Sequence, residues 1–174
     1  MGACESWRDE PIALTQDGRA TISALHAYLI NFALLDLQPG DRLVEVGGGT
    51  GYGAALAARL VGENGCVVSF EIDPELAARA EQNLRDRKNV TIFCANGLAP
   101  AELPDLNKVL FSCAIPHVPP VYLDALPENG RLLAPLDAPR DDTTQVLTRF
   151  VRTGGRLVVT RHGRVEYVRA RDSQ

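Results

Sequence analysis

Between Arg42 and Glu71 the sequence sets two acids around a cluster of glycines, a spacing that could hold a nucleotide. Arg42 to Gly53 reads RLVEVGGGTGYG: an apolar run with Glu45 inside it, then five glycines within seven residues. Glycine admits positive φ and lets a ligand approach the main chain closely. A helix starting just after such a turn aims its free N–H groups into the same space. Glu71 ends a second apolar run, CVVSF, and opens EIDP. In an open α/β sheet the carboxyl ends of adjacent strands share one crevice, so Glu71 can accept two ribose hydroxyls of a ligand lying over the glycines. The residues assigned to a cofactor on these grounds are Glu45, Val46, Gly47, Gly48, Gly49, Thr50, Gly51 and Tyr52, with Glu71 and Ile72 from the second run.

Glycine spacing alone leaves two cofactors open. Gly49-Thr50-Gly51-Tyr52-Gly53-Ala54 also satisfies the loose dinucleotide pattern, and Glu71 lies about as far downstream as NAD binding requires. Glu45 favours the other choice, because a carboxylate pointing into the turn repels a pyrophosphate and attracts the cationic amino-acid part of S-adenosylmethionine. VEVGGGTGYG followed by FEID therefore reads as a methyltransferase signature.

Strands and helices must alternate to place these groups. The pattern predicts a helix over 21–36, the glycine strand and its helix, a strand over 66–71 and a helix over 74–87. Strands follow over 90–94 and 108–113, then a short helix over 120–126 and a strand over 131–136. The tail segments TQVLTRF, GRLVVT and RVEYVRA alternate without a helical period, with turns at Gly154-Gly155 and His162-Gly163. This order implies an α/β fold, a mostly parallel sheet with an antiparallel C-terminal edge. A length of 174 residues suits one domain, divided here into an N-terminal extension over 1–20 and a main domain over 21–174.

Composition is that of an ordinary soluble protein, with 45% hydrophobic residues, 23% charged residues and a net charge of −4. No apolar stretch approaches membrane-spanning length and the N-terminus lacks a secretory pattern, so a cytoplasmic address and no membrane partner are expected. The cysteines Cys4, Cys66, Cys94 and Cys113 are scattered; no metal site is expected, and burial as small hydrophobes is. Residues 137–174 hold eight arginines and five acids. These arginines fall singly among alternating apolar residues, the pattern of a solvated strand face rather than a nucleic-acid interface.

Further residues join through a resemblance. DGRATIS, RLVEVGGGTGYGAALAARLVG, EIDPELA, Asn96-Gly97, IPHVPPVYLDALPENGRLLAPL and a final EYVRA stand in the order of the protein-L-isoaspartate O-methyltransferase family, which the chain resembles from about Asp9 to Val168. The resemblance implies a Rossmann-like class I fold using S-adenosylmethionine and releasing S-adenosylhomocysteine. It implies an acceptor peptide or protein bearing an aspartyl or isoaspartyl carboxylate. It adds Thr21, Ile22 and Tyr28 to the cofactor residues, with Asn96 and Gly97 at the adenine. Ser23 becomes the catalytic candidate, and Ser23, His26 and His117 the acceptor-side candidates. The sequence departs from the family in three places. Trp7-Arg8-Asp9-Glu10-Pro11, close to the start, stands where the family's Y-x-D-x-P segment is expected, so the helices that usually precede it are expected to be missing; Leu25 replaces a proline; Asn96 replaces an aspartate. DEP, DGR and TIS also resemble enzymes found beside genes for modified peptides, so a dedicated peptide substrate is an alternative to general repair. An RNA base methyltransferase is a third reading.

Methyl transfer from a sulfonium is an in-line displacement, and an ionised carboxylate needs no general base; the enzyme must align the partners and exclude water. Ser23 would orient the acceptor carboxylate. A serine before ALHAYLI is also a good helix N-cap, and both roles are compatible.

Overall fold

The computed structural model of the chain describes residues 9–15, 18, 20–138 and 141–171. In chain order the elements are β1 (Ile12–Ala13), β2 (Thr21–Ile22), α1 (Leu25–Leu35), β3 (Arg42–Val46), α2 (Tyr52–Val61) and β4 (Cys66–Glu71). Then come α3 (Pro74–Leu84), β5 (Val90–Cys94), β6 (Lys108–Phe111), α4 (Pro120–Ala125), β7 (Arg131–Ala138), β8 (Asp141–Thr153) and β9 (Arg156–Val165). Seven strands form one sheet in the order β5-β4-β3-β6-β7-β8-β9, parallel through β7 and antiparallel at β8 and β9. The expected α/β fold with an antiparallel C-terminal edge is what the chain adopts.

Strand alternation distributes the core. Leu43, Leu110 and Leu133 pack with Tyr28, Phe32 and Leu35 of α1 and Ala54, Ala57 and Val61 of α2. Their neighbours Val44, Val46, Phe111 and Leu132 turn to the other face, against Tyr122 and Leu126. Both faces are thus covered, as parallel sheets require. The chain winds outward from β3 to β4 and β5, then returns to place β6 on the other side of β3. The crevice at the carboxyl ends of β3 and β6 is the switch point where such sheets bind ligands.

Several expectations need correction. Thr21 and Ile22 are not helical: they pair with Ala13 and Ile12, and the helix starts only at Leu25. The N-cap of α1 is Ala24, with no side-chain cap, so Ser23 is not the capping residue. α3 ends at Leu84 and β6 at Phe111. The Ser112 N–H makes the last bond of the β3–β6 ladder, to the Val46 carbonyl at 2.8 Å. Gly154-Gly155 makes the expected β8–β9 turn, but His162-Gly163 is a bulge within β9, the two residues lying opposite Leu147 alone, with Gly163 at φ 99°. Residues 166–171 leave the sheet instead of extending it as a strand. Cys94 is exposed because β5 is the sheet edge, while Cys66 and Cys113 are half-buried. Cys4, Trp7, Arg8 and most of the Asp17–Arg19 motif lie outside the described residues. Among the described residues, no helix is long and apolar enough to cross a membrane, and no group of three or more His, Cys, Asp or Glu could hold a metal.

Candidate active site

β3 delivers the glycine turn to the switch point. Gly47, Gly49 and Gly51 have φ of 87°, 57° and 83°, values that exclude most side chains. At Gly48 an added Cβ would lie 2.0 Å from Ser69 Oγ, so the turn sits directly on β4. The turn borders a crevice of about 370 Å³, within the roughly 300–1,000 Å³ of small-molecule sites. Val46, Gly47, Gly49, Glu71, Ile72, Asn96 and Gly97 line it from the strand ends, and Thr21, Ser23 and His26 from the entry to α1. A small recess beside it is lined by Thr21, Ile22, Ser23, Tyr28, Glu45, Gly48, Thr50 and Tyr52. Nearly all the sequence-predicted residues therefore converge. Two do not: Gly51 and His117 line neither space. Gly51 is fixed by packing, since a Cβ there would lie 2.6 Å from Leu84 Cδ1 of α3. His117 is exposed in the loop before α4, away from the crevice.

Glu71 is pre-oriented by main-chain donors. Gly49 N–H donates to its Oε2 at 2.7 Å and Asp73 N–H to its Oε1 at 2.9 Å, leaving acceptor capacity on both oxygens. Gly97 follows β5 where a Cβ would lie 2.8 Å from both Phe70 Cβ and Val46 Cγ1, and its carbonyl accepts the Tyr122 hydroxyl at 2.6 Å. Asn96 Oδ1 accepts the Leu98 N–H at 2.9 Å, which holds the turn at the end of that strand.

Glu45 differs from its expected place in open crevice. It is 2% exposed, beneath the turn, accepting from Ser69 Oγ at 2.8 Å and Ser112 Oγ at 3.1 Å. Burial pushes its pKa up to about 7; the two serine hydrogen bonds oppose the rise and the Glu71 charge adds to it. An added Cβ at Gly53 would meet Glu45 Oε1 at 2.5 Å, so the start of α2 closes over the carboxylate. Ser69 and Ser112 were not legible as site residues, because neither stands in the glycine motif. Cys113, also unforeseen, lines the crevice, its thiol pushed up to about 12 by burial and then by the Glu71 and Glu45 charges.

In the recess beside Glu45, Tyr28 is buried edge-on against Tyr52, with ring centroids 5.5 Å apart. Burial raises its phenol pKa, while hydrogen bonds with Ser23 pull it down. Ser23 lines both the crevice and the recess that Tyr28 borders. His26 pairs with Asp9: its Nδ1 lies 2.8 Å from Asp9 Oδ1, which also accepts the His26 N–H at 2.9 Å and is held below the usual carboxylate range by those bonds. Residues 164–171, unforeseen as a wall, complete the crevice. Ala114 N–H donates to the Val168 carbonyl and Ala170 N–H to the Ala114 carbonyl, both at 2.9 Å, and Arg171 reaches Asp73 at 3.3 Å.

A protein-L-isoaspartate O-methyltransferase of Methanococcus aeolicus is 40% identical over 119 residues, which cover 67% of this chain and 55% of that protein. A solved protein-L-isoaspartate O-methyltransferase superposes with a TM-score of 0.86 at 27% identity, over 95% of this chain and 53% of that one. A Plasmodium falciparum structure, described as a putative enzyme of the same name in complex with S-adenosyl-L-homocysteine, superposes with a TM-score of 0.80 at 25% identity, over 94% of this chain and 80% of that one. The chain thus spans little more than half the length of the first two. The family model for protein-L-isoaspartate(D-aspartate) O-methyltransferase matches residues 3–174, and the chain belongs to that family.

Proposed function

We propose that the protein is an S-adenosylmethionine-dependent carboxyl O-methyltransferase that esterifies an aspartyl or isoaspartyl carboxylate in a peptide or protein. The observation that carries the reading is the convergence of Ser23 and Glu71 on one switch-point crevice, with the glycine turn between them. Family membership and the Plasmodium complex support the choice of cofactor.

The residues present suit that cofactor. Glu71, held by two N–H donors, would accept ribose hydroxyls. Asn96 and the side-chain-free surface of Gly97 would seat the adenine, and Gly47 to Gly49 would admit the amino-acid part above buried Glu45. S-adenosylmethionine, when bound, supplies the electrophilic methyl group.

The chain's own work is orientation. Ser23 would donate its hydroxyl to the acceptor carboxylate from beside the recess it shares with buried Tyr28. The wall of residues 164–171 would exclude water from the reacting carboxylate. With an acceptor already ionised near neutral pH no general base is needed, and alignment supplies most of the acceleration. If the ester forms on an isoaspartyl group, the neighbouring backbone nitrogen can attack the ester carbonyl after release, expelling methanol to close a succinimide, and water opening that ring returns some normal aspartate.

Methyl transfer from labelled S-adenosylmethionine to matched isoaspartyl and aspartyl peptides, scored as base-labile methyl release, tests the reading. Label on the isoaspartyl peptide alone is the expected result. No label on either, with cofactor binding intact, would overturn general carboxyl transfer and leave a dedicated peptide as the alternative.

A further inference from the structure

Among the buried residues of α1 stands one amide, Asn31, only 3% exposed beside Tyr28, Phe32 and Leu35. A buried amide is costly unless its polar atoms are matched. Asn31 Nδ2 donates to the Tyr167 hydroxyl at 3.0 Å, across 136 residues of sequence. The backbone at Tyr167 is fixed separately. Its N–H donates to Gln145 Oε1 at 2.7 Å and its carbonyl accepts from Gln145 Nε2 at 2.9 Å, and Gln145 is itself buried. Tyr167 thus has its main chain clamped from β8 and its hydroxyl held from α1.

With one lone pair taken by Asn31, the hydroxyl still has its own proton to place. The acceptor offered inside the fold is Asn31 Oδ1 at 3.4 Å, long for an O–H···O bond, which centres near 2.7–2.8 Å. Burial raises the phenol pKa against the pull of the Asn31 bond, so the group stays a protonated donor around neutral pH. Asn31 and Tyr167 line the same crevice as Ser23.

We propose that Tyr167 is a second anchor for the acceptor carboxylate, donating its O–H to a carboxylate oxygen while Ser23 serves the other, with Asn31 and Gln145 as positioning residues. This rests on the carboxyl-transfer reading above. It assigns the acceptor to the part of the crevice lined by Ser23, Asn31 and Tyr167.

The test compares the wild type, Tyr167→Phe and the double variant Asn31→Leu/Tyr167→Phe in methyl transfer to the peptide that the wild type uses. The double variant removes the hydroxyl without orphaning a buried amide, and affinity for S-adenosylhomocysteine reports an intact cofactor half. Loss of one hydrogen bond to a charged group predicts a peptide KM raised about tenfold or more in both variants. Cofactor affinity should be unchanged and kcat should move by less than about threefold, the signature of lost acceptor binding. A wild-type peptide KM in either folded variant would overturn the proposal and reduce the pair to packing. A wild type that binds S-adenosylhomocysteine but labels neither peptide removes the general carboxyl-transfer reading and this inference with it, whereas transfer with an unmoved KM removes this inference alone.

Discussion

Replacing Glu45 by Gln isolates the energetics under the glycine turn. The side chain is 2% exposed and its ionised form has only two hydroxyl donors, Ser69 and Ser112, to replace water. Its folded-state pKa of about 7 lies above the ordinary 4.5, so between those values the native state holds a proton that the unfolded chain has lost. The native protein is therefore favoured fully below the unfolded pKa, and that contribution fades as pH rises through 4.5 toward 7. At about 1.4 kcal/mol per pH unit, the whole effect is on the order of 3 kcal/mol. Gln has the shape of the protonated acid, and its amide can still bond both serines. Without ligand, Glu45→Gln should thus be more stable than the wild type at pH 8, by up to about 3 kcal/mol, with the advantage shrinking toward zero near pH 5. Urea unfolding at both pH values, with ΔG extrapolated to water, reads the difference. An advantage independent of pH, or a variant less stable at pH 8, would refute the buried-acid reasoning. Above pH 7 the same variant should bind S-adenosylhomocysteine more weakly, since the carboxylate charge beneath the turn would be lost from under the ligand's ammonium.

Three other perturbations follow from the geometry. Gly97→Ala forces a Cβ within 2.8 Å of Phe70 and Val46; it should cost about 1–3 kcal/mol in unfolding experiments and weaken cofactor binding in calorimetry. Glu71→Ala removes the carboxylate that faces the crevice and should lower affinity for S-adenosylhomocysteine by about a hundredfold in the same calorimetric assay. Lys108→Met should cost about 3 kcal/mol in urea unfolding, because the buried ammonium ties the Leu35 and Asp36 carbonyls at 2.9 and 3.0 Å and pairs with Asp41 at 3.6 Å.

The parallel half of the sheet and the glycine crevice were legible because local signals agreed there. One β-branched run carried Glu45 into the glycines and an alanine-rich helix, a second ended in Glu71 before a helix, and VTIFC was a short apolar run, so β3, β4 and β5 stand where the pattern put them. The acceptor side was less legible. Alternation in RVEYVRA is the same for a sheet strand and for an extended segment whose partners are a glutamine amide and the Ala114 backbone, so the departure at Glu166 left no local trace. TIS read as the start of a helix because the apolar run continues into ALHAYLI, whereas pairing with Ile12 and Ala13 holds Thr21 and Ile22 extended. The partners of Glu45 lie 24 and 67 residues away, and that of Asn31 lies 136 away. Such pairs are set by topology, which sequence spacing does not carry. His117 looked suited to an acceptor mouth, yet the loop before α4 leaves it exposed and away from the crevice.

The most direct measurement of the central claim is the single-turnover rate of methyl transfer from saturating S-adenosylmethionine to an isoaspartyl peptide, in the wild type and in Ser23→Ala. The account predicts base-labile methyl ester on the peptide with the wild type, and a rate at least about tenfold lower with the variant at unchanged cofactor affinity. An equal rate in both proteins would contradict the place given to Ser23. Ester formation by neither, with cofactor bound, would contradict general isoaspartyl transfer and leave a dedicated peptide as the acceptor.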